Sequence, residues 1–379
     1  RDVDIADLIG REPVRIDDFE IARCLEGRVV LVTGAAGSIG SELARQALKF
    51  RPGRLLLLDN NESDLFGLRQ ELCPRLGKAG ITDVQMIVGD IRDRRRIDHL
   101  VSTSRPHIVF HAAAYKHVPV MEAQPAEAVK TNVSGTRFVA EAAARHGAER
   151  FVFVSTDKAV NPSSVMGATK RVGETIISEI ARASETIFAA VRFGNVLGSR
   201  GSVVPIFARQ ISEGGPITVT HPEVSRYFMT IEEAASLILQ AAAIAKGGET
   251  FVLDMEEPVR ILDLAERMRD LLARDHDDIE IAFTGLRPGE KLHEELWQAD
   301  EVLGPTGHPR IHRAVVRQAQ SSWPPRIEAD LRRLEELAIW NAQPDEIRAH
   351  LFSLTSPRSQ DPVAIPDSIM SDLASSPNA

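Results

Sequence analysis

A short apolar run, Arg28 to Thr33, feeds directly into Gly34-Ala35-Ala36-Gly37-Ser38-Ile39-Gly40, after which helix-forming residues take over. Strand, glycine-rich turn and helix in that order constrain the fold more than any other stretch. They open a βαβ unit in which Gly34 permits a tight turn, Gly37 admits a pyrophosphate to the backbone and Gly40 lets helix and strand pack closely. Ser38 and Ile39 lie in the first helical turn, whose free N–H groups and positive dipole end attract phosphate. A second apolar run, Arg54–Leu58, ends in Asp59 and Asn60, about 25 residues beyond Gly34. A carboxylate there accepts from an adenosine ribose hydroxyl and repels a 2′-phosphate, so the expected cofactor is NAD, with NADP disfavoured.

The pattern continues. Val84–Gly89 ends in Asp90-Ile91, Ile108–His111 in Ala112-Ala113-Ala114, and Ile187–Arg192 in a loop from Phe193 to Ser202. Fully apolar runs of this length read as buried parallel strands. Right-handed crossovers place all their ends on one sheet edge, where open α/β sheets bind ligands. The expected fold is therefore α/β: a Rossmann-type doubly wound parallel sheet with a smaller mixed α/β substrate-binding lobe. The small residues at 112–114 let backbone approach the nicotinamide side of a cofactor.

A central run, Phe151–Val154, leads into Ser155-Thr156-Asp157-Lys158, and a helix follows that carries Met166 and Lys170 on one face. Around one point the chain thus offers a hydroxyl (Thr156), a carboxylate (Asp157) and two amines (Lys158, Lys170). This segment resembles the active-site segment of extended short-chain dehydrogenases/reductases. Within them it is similar to the nucleotide-sugar 4,6-dehydratases of bacterial polysaccharide biosynthesis, the UDP-N-acetylglucosamine dehydratase family. The resemblance covers about residues 10–330. Most of the superfamily has tyrosine four residues before the lysine; this chain has Met166, as does a membrane-anchored subgroup of the family.

The resemblance implies that Asp90 and Ile91 flank adenine and that Asn132 and Lys170 join the cofactor site. It also implies that the alanine-rich helix Pro125–His146 and the helix after Met166 form a dimer interface, so a homodimer or higher homo-oligomer is expected. Two basic loops, around Arg226 and around Arg287 to Glu290, suit a UDP moiety: paired guanidinium groups for the diphosphate and a carboxylate for ribose. Lys116, His117, Asn195, Arg200, Ser202, Val203 and Thr218 complete the expected substrate contacts.

From Val203 onward short strands and helices alternate irregularly. The expected organisation is an N-terminal arm over 1–27, a cofactor-binding domain over 28–202, a partly interleaved UDP-sugar lobe over 203–330, and a C-terminal helix with a disordered tail over 331–379. Net charge is −9, which argues against a nucleic-acid or acidic-lipid surface. Two cysteines, Cys24 and Cys73, form neither a metal motif nor a disulfide scaffold and suit a reducing compartment. No metal site is expected, and no apolar run is long enough to span a membrane. The chain starts at Arg1, so an excised catalytic domain is expected, cytoplasmic or the cytoplasmic part of an inner-membrane protein, with an anchoring region upstream.

The implied chemistry is transient C4 oxidation, loss of water across C5 and C6, and hydride return to C6. In that scheme Lys158 is the C5 base, Asp157 the acid at the 6-hydroxyl, Thr156 a partner of the 4-oxygen, and Lys170 holds the nicotinamide ribose. Met166 leaves the usual tyrosine role unfilled, since a thioether moves no protons. The alternatives are a 4-epimerase or ketoreductase of the same fold, and a catalytically silent NAD-binding regulator.

Overall fold

The computed structural model describes residues 14–72, 82–272, 279–316 and 327–355. Its nine-stranded sheet contains β1 (Val29–Thr33), β2 (Arg54–Asp59), β3 (Asp83–Val88), β4 (Ile108–His111), β5 (Arg150–Val154), β6 (Ile187–Arg192), β7 (Glu249–Leu253), β8 (Glu301–Gly304) and β9 (Ile311–Val316). The spatial order is β8-β9-β7-β6-β5-β4-β1-β2-β3. Strands β1 to β7 run parallel, whereas β9 pairs antiparallel with both β7 and β8. The order 3-2-1-4-5-6 is that of a Rossmann sheet, with its topological switch point between β1 and β4. The central strands are buried along nearly their whole length because helices cover both faces, which is why they read as continuous apolar runs.

One face packs against helices Ser38–Lys49 and Ile231–Ile244, and the arm helix Asp18–Leu25 lies on the latter through buried Ile21 and Leu25. The arm is fastened further by Asp17 N donating to Gln240 Oε1 (2.7 Å) and by the His308 ring meeting Arg15 O (2.8 Å). The other face carries Arg94–Ser104, Thr136–Arg145 and Val165–Arg182. The helical stretch expected from Pro125 to His146 is not one regular helix. It changes to π-helical geometry over Val129–Gly135 before resuming as an α-helix at Thr136. Such wide turns cluster at functional positions, and Asn132 lies in this one.

The apolar residues that these helices turn away from the sheet are covered from within the chain. Leu331, Leu334 and Leu337 of helix Ile327–Ile339, with Ile347 and Leu351 of helix Pro344–Ser353, share one cluster with Val129, Val133, Met166 and Val172. Residues of both helices expected at a subunit interface are thus in contact with the chain's own C-terminal helices. The first of these begins before residue 331, and the expected tail, 356–379, lies outside the described residues.

The smaller lobe is built from three two-stranded ribbons and two helices. Asn195–Val196 pairs with Phe228–Met229, Ser225–Arg226 with Val259–Arg260, and Ile217–Val219 with Ile281–Phe283. Helices Val203–Ser212 and Ile261–Leu272 close its core around Phe207, Ile217 and Leu264. Helix Ile231–Ile244 and strands β7 to β9, although within 203–330, belong to the large sheet and its covering layer. Among the described residues no helix is long and apolar enough to cross a membrane.

Arg192, at the end of β6, is 1% exposed and meets two buried carboxylates. It donates to Glu174 at 2.7 and 2.8 Å and to Glu301 at 2.7 and 3.1 Å. Ser155 Oγ also donates to Glu174 (2.7 Å), and Gln298 N to Glu301 (2.9 Å). Removing one member of such a network strands the remaining buried charges, typically at about 3–5 kcal/mol. Arg192→Met is therefore expected to lower the denaturant midpoint sharply, by the equivalent of that range; a shift worth less than about 1 kcal/mol would show that the network is dispensable.

Candidate functional site

At the switch point the turn after β1 touches the segment after β4. Gly34 has φ +66°, and a Cβ there would lie 2.6 Å from Ala113 backbone atoms. At Gly40 a Cβ would stand 2.0 Å from Gly34 O, so the helix meets the turn where only glycine fits. A crevice opens here, lined by Gly34, Gly37, Asp59, Asn60, Asp90, Ile91 and Ala112 to Ala114. Most of the expected cofactor residues therefore share one cleft. Asp59 Oδ2 accepts from Ala36 N (3.0 Å) and its Oδ1 from Asn61 N (2.9 Å), which aims the carboxylate across the turn. Burial opposes ionisation of Asp90, but hydrogen bonds and charge from Arg92 hold it below the usual carboxylate range.

Of the expected cofactor residues, Ser38, Ile39, Gly40, Asn132 and Lys170 do not line this cleft. Gly40 is buried against the turn. Asn132 is fully buried and spends its amide on the protein: Oδ1 accepts from Tyr115 N (2.8 Å), and Nδ2 donates to Tyr115 O (2.9 Å) and Thr169 Oγ1 (3.0 Å). It ties the segment after Ala114 to helix Val165–Arg182 through Thr169. Lys170 donates to Val154 O (2.9 Å), and its ammonium lies 4.5 Å from the Phe153 ring centroid. Beneath the switch point His111 is clamped between Thr33 (2.7 Å) and Thr136 (3.0 Å). Burial, helped by the Lys170 charge, pushes His111 down to about 3, so it is a neutral structural residue.

The end of β5 carries the reactive cluster. Thr156 caps a short 3-10 turn, Asp157–Ala159, and the backbone N of Asp157 donates to Phe193 O (3.0 Å) after β6. Lys158 Nζ donates to Asp157 Oδ1 (3.0 Å) and Asn195 Oδ1 (2.9 Å), while Thr156 Oγ1 donates to the same Asp157 oxygen (2.8 Å). Asp157 is completely buried, and its Oδ2 has no hydrogen-bond partner. The next helix, Val165–Arg182, is capped by Ser164, whose Oγ accepts from Gly167 N (3.1 Å), and by Glu122, whose Oε1 accepts from Val165 N (2.6 Å). Met166, only 3% exposed, belongs to the apolar cluster beneath the C-terminal helices.

A second cavity lies beside Lys158, with Ser164, Arg226, Arg287, Glu290 and Glu294 in its wall. Arg226 donates to Glu290 Oε1 (3.0 Å), which also accepts from Thr220 Oγ1 (3.1 Å). Its loop is fastened to the catalytic segment by Lys291 Nζ donating to Val160 O (2.9 Å), Ser163 Oγ to Gly289 O (3.0 Å) and Asn161 Nδ2 to Glu295 Oε2 (3.0 Å). These three hydrogen bonds join the loop that carries Arg287 and Glu290 to the segment that follows Lys158.

Other expected substrate contacts fall elsewhere. Arg200 reaches back over the glycine turn: NH2 donates to Ala36 O (3.1 Å), NH1 meets Asp64, and its N donates to Ser38 Oγ (3.4 Å). These contacts place it over the glycine turn. Thr218 is occupied by Gln210 on both its N (3.1 Å) and Oγ1 (2.7 Å) inside the lobe. Lys116 and His117 are exposed, with the His117 ring against Gly201. Ser202 Oγ is buried without a partner at the start of the helix led by Val203.

Sequence reasoning missed Glu294. It lies in an irregular stretch where Glu294 and Leu296 are buried while His293 and Glu295 are exposed, an alternation hidden by the run of charges. Its Oε1 is 3.9 Å from Lys158 Nζ, and its Oε2 has no hydrogen-bond partner. Among the described residues no cluster of His, Cys, Asp or Glu could hold a metal ion.

Sheet order, glycine turn and lysine-bearing helix together define the extended short-chain dehydrogenase/reductase fold. The chain belongs to the polysaccharide biosynthesis protein family, which matches residues 30–316. It is 49% identical over 355 residues to the probable polysaccharide biosynthesis protein EpsC of Bacillus subtilis, covering 93% of this chain and 57% of EpsC. The chain thus spans little more than half of that relative's length. At 32% identity it matches the UDP-N-acetylglucosamine 4,6-dehydratase (inverting) of Campylobacter jejuni, over 72% of this chain and 78% of that protein. At 33% it matches the UDP-glucose 4-epimerase of Rickettsia rickettsii, over 73% and 79%. Among solved structures, Pen from Bacillus thuringiensis superposes with a TM-score of 0.72 at 34% identity, covering 84% of this chain and 99% of that one.

Burial brings the Lys170 ammonium down from 10.5 to about 7, with the Glu174 charge opposing the shift. Between about pH 7 and 10.5 the unfolded chain keeps a proton that the folded chain has shed, so this group makes stability rise with pH across that window. Lys170→Met should therefore gain stability relative to the parent below about pH 7 and lose that advantage as pH rises. Thermal midpoints of the cofactor-free proteins across this range provide the check; a pH-independent difference would contradict it.

Proposed function

We propose that this chain is a nucleotide-sugar 4,6-dehydratase that acts on UDP-N-acetylglucosamine with NAD as a resident cofactor. The observation that carries this reading is the position of Lys158, whose amine stands beside the clamp cavity on the strand end next to the cofactor cleft. The cleft suits a dinucleotide. Its glycine turn leaves room that a Cβ would fill, and Asp59 presents a carboxylate where a ribose hydroxyl would be held. That carboxylate favours NAD over NADP. When bound, the nicotinamide supplies hydride acceptance from C4 and hydride return to C6.

The chain's own groups do the rest. Arg226 and Arg287 bind the diphosphate and Glu290 the ribose, fixing the sugar over Lys158. Thr156 holds the 4-oxygen. With the C4 ketone formed, the C5 proton is acidified and Lys158, as the neutral amine, removes it. Asn195 and Asp157 fix the direction of that amine. Lys170, when protonated, adds positive field from behind the cofactor cleft. Met166 keeps a proton-moving phenol out of the position from which same-fold epimerases operate, and this favours elimination over epimerisation.

Incubation with UDP-N-acetylglucosamine should yield a product lighter by one water, seen by mass spectrometry. An isomer of unchanged mass would favour the epimerase reading, and no product at all would favour a silent cofactor binder. Lys158→Met should lose about 10²–10⁴-fold in turnover, the usual cost of a positioned base. Met166→Leu should keep most activity because volume and polarity are conserved. Met166→Tyr should bring no gain, since its hydroxyl would enter an apolar cluster. A several-fold faster Met166→Tyr enzyme would overturn the account of this position.

A further inference from the structure

The proposed nucleotide clamp and the helix that carries Met166 and Lys170 are far apart in sequence, and one side chain outside both lies where they meet. Glu122, in the short helix Val118–Ala123, has a side chain only 16% exposed. Its Oε1 accepts from the backbone N of Val165 (2.6 Å), the first residue of helix Val165–Arg182. That N–H is one of those a helix leaves unpaired at its start, and a carboxylate there also meets the positive end of the helix dipole. Glu122 Oε2 stands 3.5 Å from Arg348 Nε on helix Pro344–Ser353, and Arg348 NH2 donates to the Glu122 backbone O.

The clamp loop rests on the same carboxylate. Gly289 lies between Arg287 and Glu290 with φ +76°, and a Cβ there would stand 3.1 Å from Glu122 Oε1 and 2.8 Å from Ser164 Cβ. Ser163 Oγ donates to Gly289 O (3.0 Å), just ahead of the helix cap Ser164. The loop backbone is thus pressed onto the two groups that cap the helix, where only glycine fits. Gly289, Ser163 and Ser164 line the cavity beside Lys158, as do Val118 and Pro119 of the helix that carries Glu122. Glu122 itself is not in that wall, so it acts through what it holds.

We propose that Glu122 is a positioning residue for the substrate: by seating the Arg287–Glu290 loop on the amino end of the catalytic helix, it sets the distance between the nucleotide and Lys158. The proposal rests on the reading of Arg226, Arg287 and Glu290 as the UDP clamp and deepens it. Arg287 and Glu290 belong to one closed turn, in which Glu290 N donates to Arg287 O (3.0 Å) and Arg287 N to Glu290 Oε2 (3.2 Å). Both groups therefore share one seat. Loss of the Glu122 carboxylate removes that seat and leaves Val165 N without its acceptor. Lys158 and Asp157 keep their geometry, because Asn195 and the Phe193 carbonyl after β6 hold them independently. The signature is a loss of nucleotide binding with the chemical step largely spared.

The test is calorimetric titration of UDP onto the NAD-loaded parent, Glu122→Ala, Glu122→Gln and Gly289→Ala. NAD occupancy and steady-state turnover of UDP-N-acetylglucosamine are measured on the same preparations. Glu122→Ala should weaken UDP binding about tenfold, the scale of a lost hydrogen bond to a charged acceptor. KM should rise in step, with kcat within a few-fold and NAD occupancy unchanged. Glu122→Gln should recover most of the loss, since its amide oxygen still accepts from Val165 N. Gly289→Ala should also weaken UDP binding. The double variant Glu122→Ala/Gly289→Ala should lose less than the product of the single losses, because both changes disturb one contact. A Glu122→Ala protein that binds UDP as the parent does overturns the proposal. So does a loss shared equally by UDP and NAD, which marks a general structural role, and so does a Glu122→Gln protein as weak as Glu122→Ala. Should Glu122→Ala fail to fold, parental UDP affinity in Gly289→Ala overturns it. A parent that binds NAD but not UDP overturns the clamp reading and this proposal together.

Discussion

The buried guanidinium of Arg192 is the junction on which the site's geometry depends. It ends β6, holds Glu174 of the catalytic helix and Glu301 of β8, and through Glu174 reaches Ser155 at the end of β5. Isolated buried charges are prohibitively costly, so this arrangement survives only because each one is paired and hydrogen-bonded. The Arg192 charge and hydrogen bonds hold Glu174 ionised against its burial. A network this constrained fixes the spacing between strand end and helix, and hence between Lys158 and Lys170. It also anchors the antiparallel edge, from which the chain runs back toward Glu294 and the clamp.

Within that frame the two lysines are placed in different environments. Lys170 is enclosed by β5 backbone and the Phe153 ring, and burial dominates its titration. Lys158 sits between a buried carboxylate, an amide oxygen and the clamp cavity. In the proposed reaction this division leaves proton transfer with the sugar to Lys158, while Lys170 stays packed against the β5 backbone. It also explains how a site with methionine at position 166 can retain chemistry. In that reaction the proton moves at Lys158, beside the clamp cavity, and not on the helix face packed under the C-terminal helices.

The fold was legible because its signals are local. Apolar runs without polar interruption marked strands covered on both faces, and the glycine spacing marked the turn whose backbone contacts leave no room for side chains. The residues lining the crevice and the cavity beside Lys158 could be grouped from the sequence because each short stretch among them carries its own local signal at a strand or loop end. What escaped depends on distance in sequence. Glu294 meets Lys158 only because the clamp loop folds onto the catalytic segment. Arg192 reads as the polar end of a strand until Glu174 and Glu301 are brought to it. The π-turn at Asn132 follows from side-chain bonds to Tyr115 and Thr169, which no periodicity encodes. The covering of the helix pair by residues 327–353 likewise needed the three-dimensional path of the chain.

The central claim is a closed redox cycle in which the sugar loses water but no net electrons. Its most direct measurement follows a hydrogen label within one molecule, using UDP-N-acetylglucosamine deuterated at C4 mixed with unlabelled substrate bearing a distinguishable heavy carbon. The account predicts that deuterium appears at C6 of the dehydrated product, only in molecules that began with it, and that reduced cofactor does not accumulate. Deuterium lost to added free cofactor, reduced cofactor building up with each turnover, or label remaining at C4 of an isomerised sugar would contradict it.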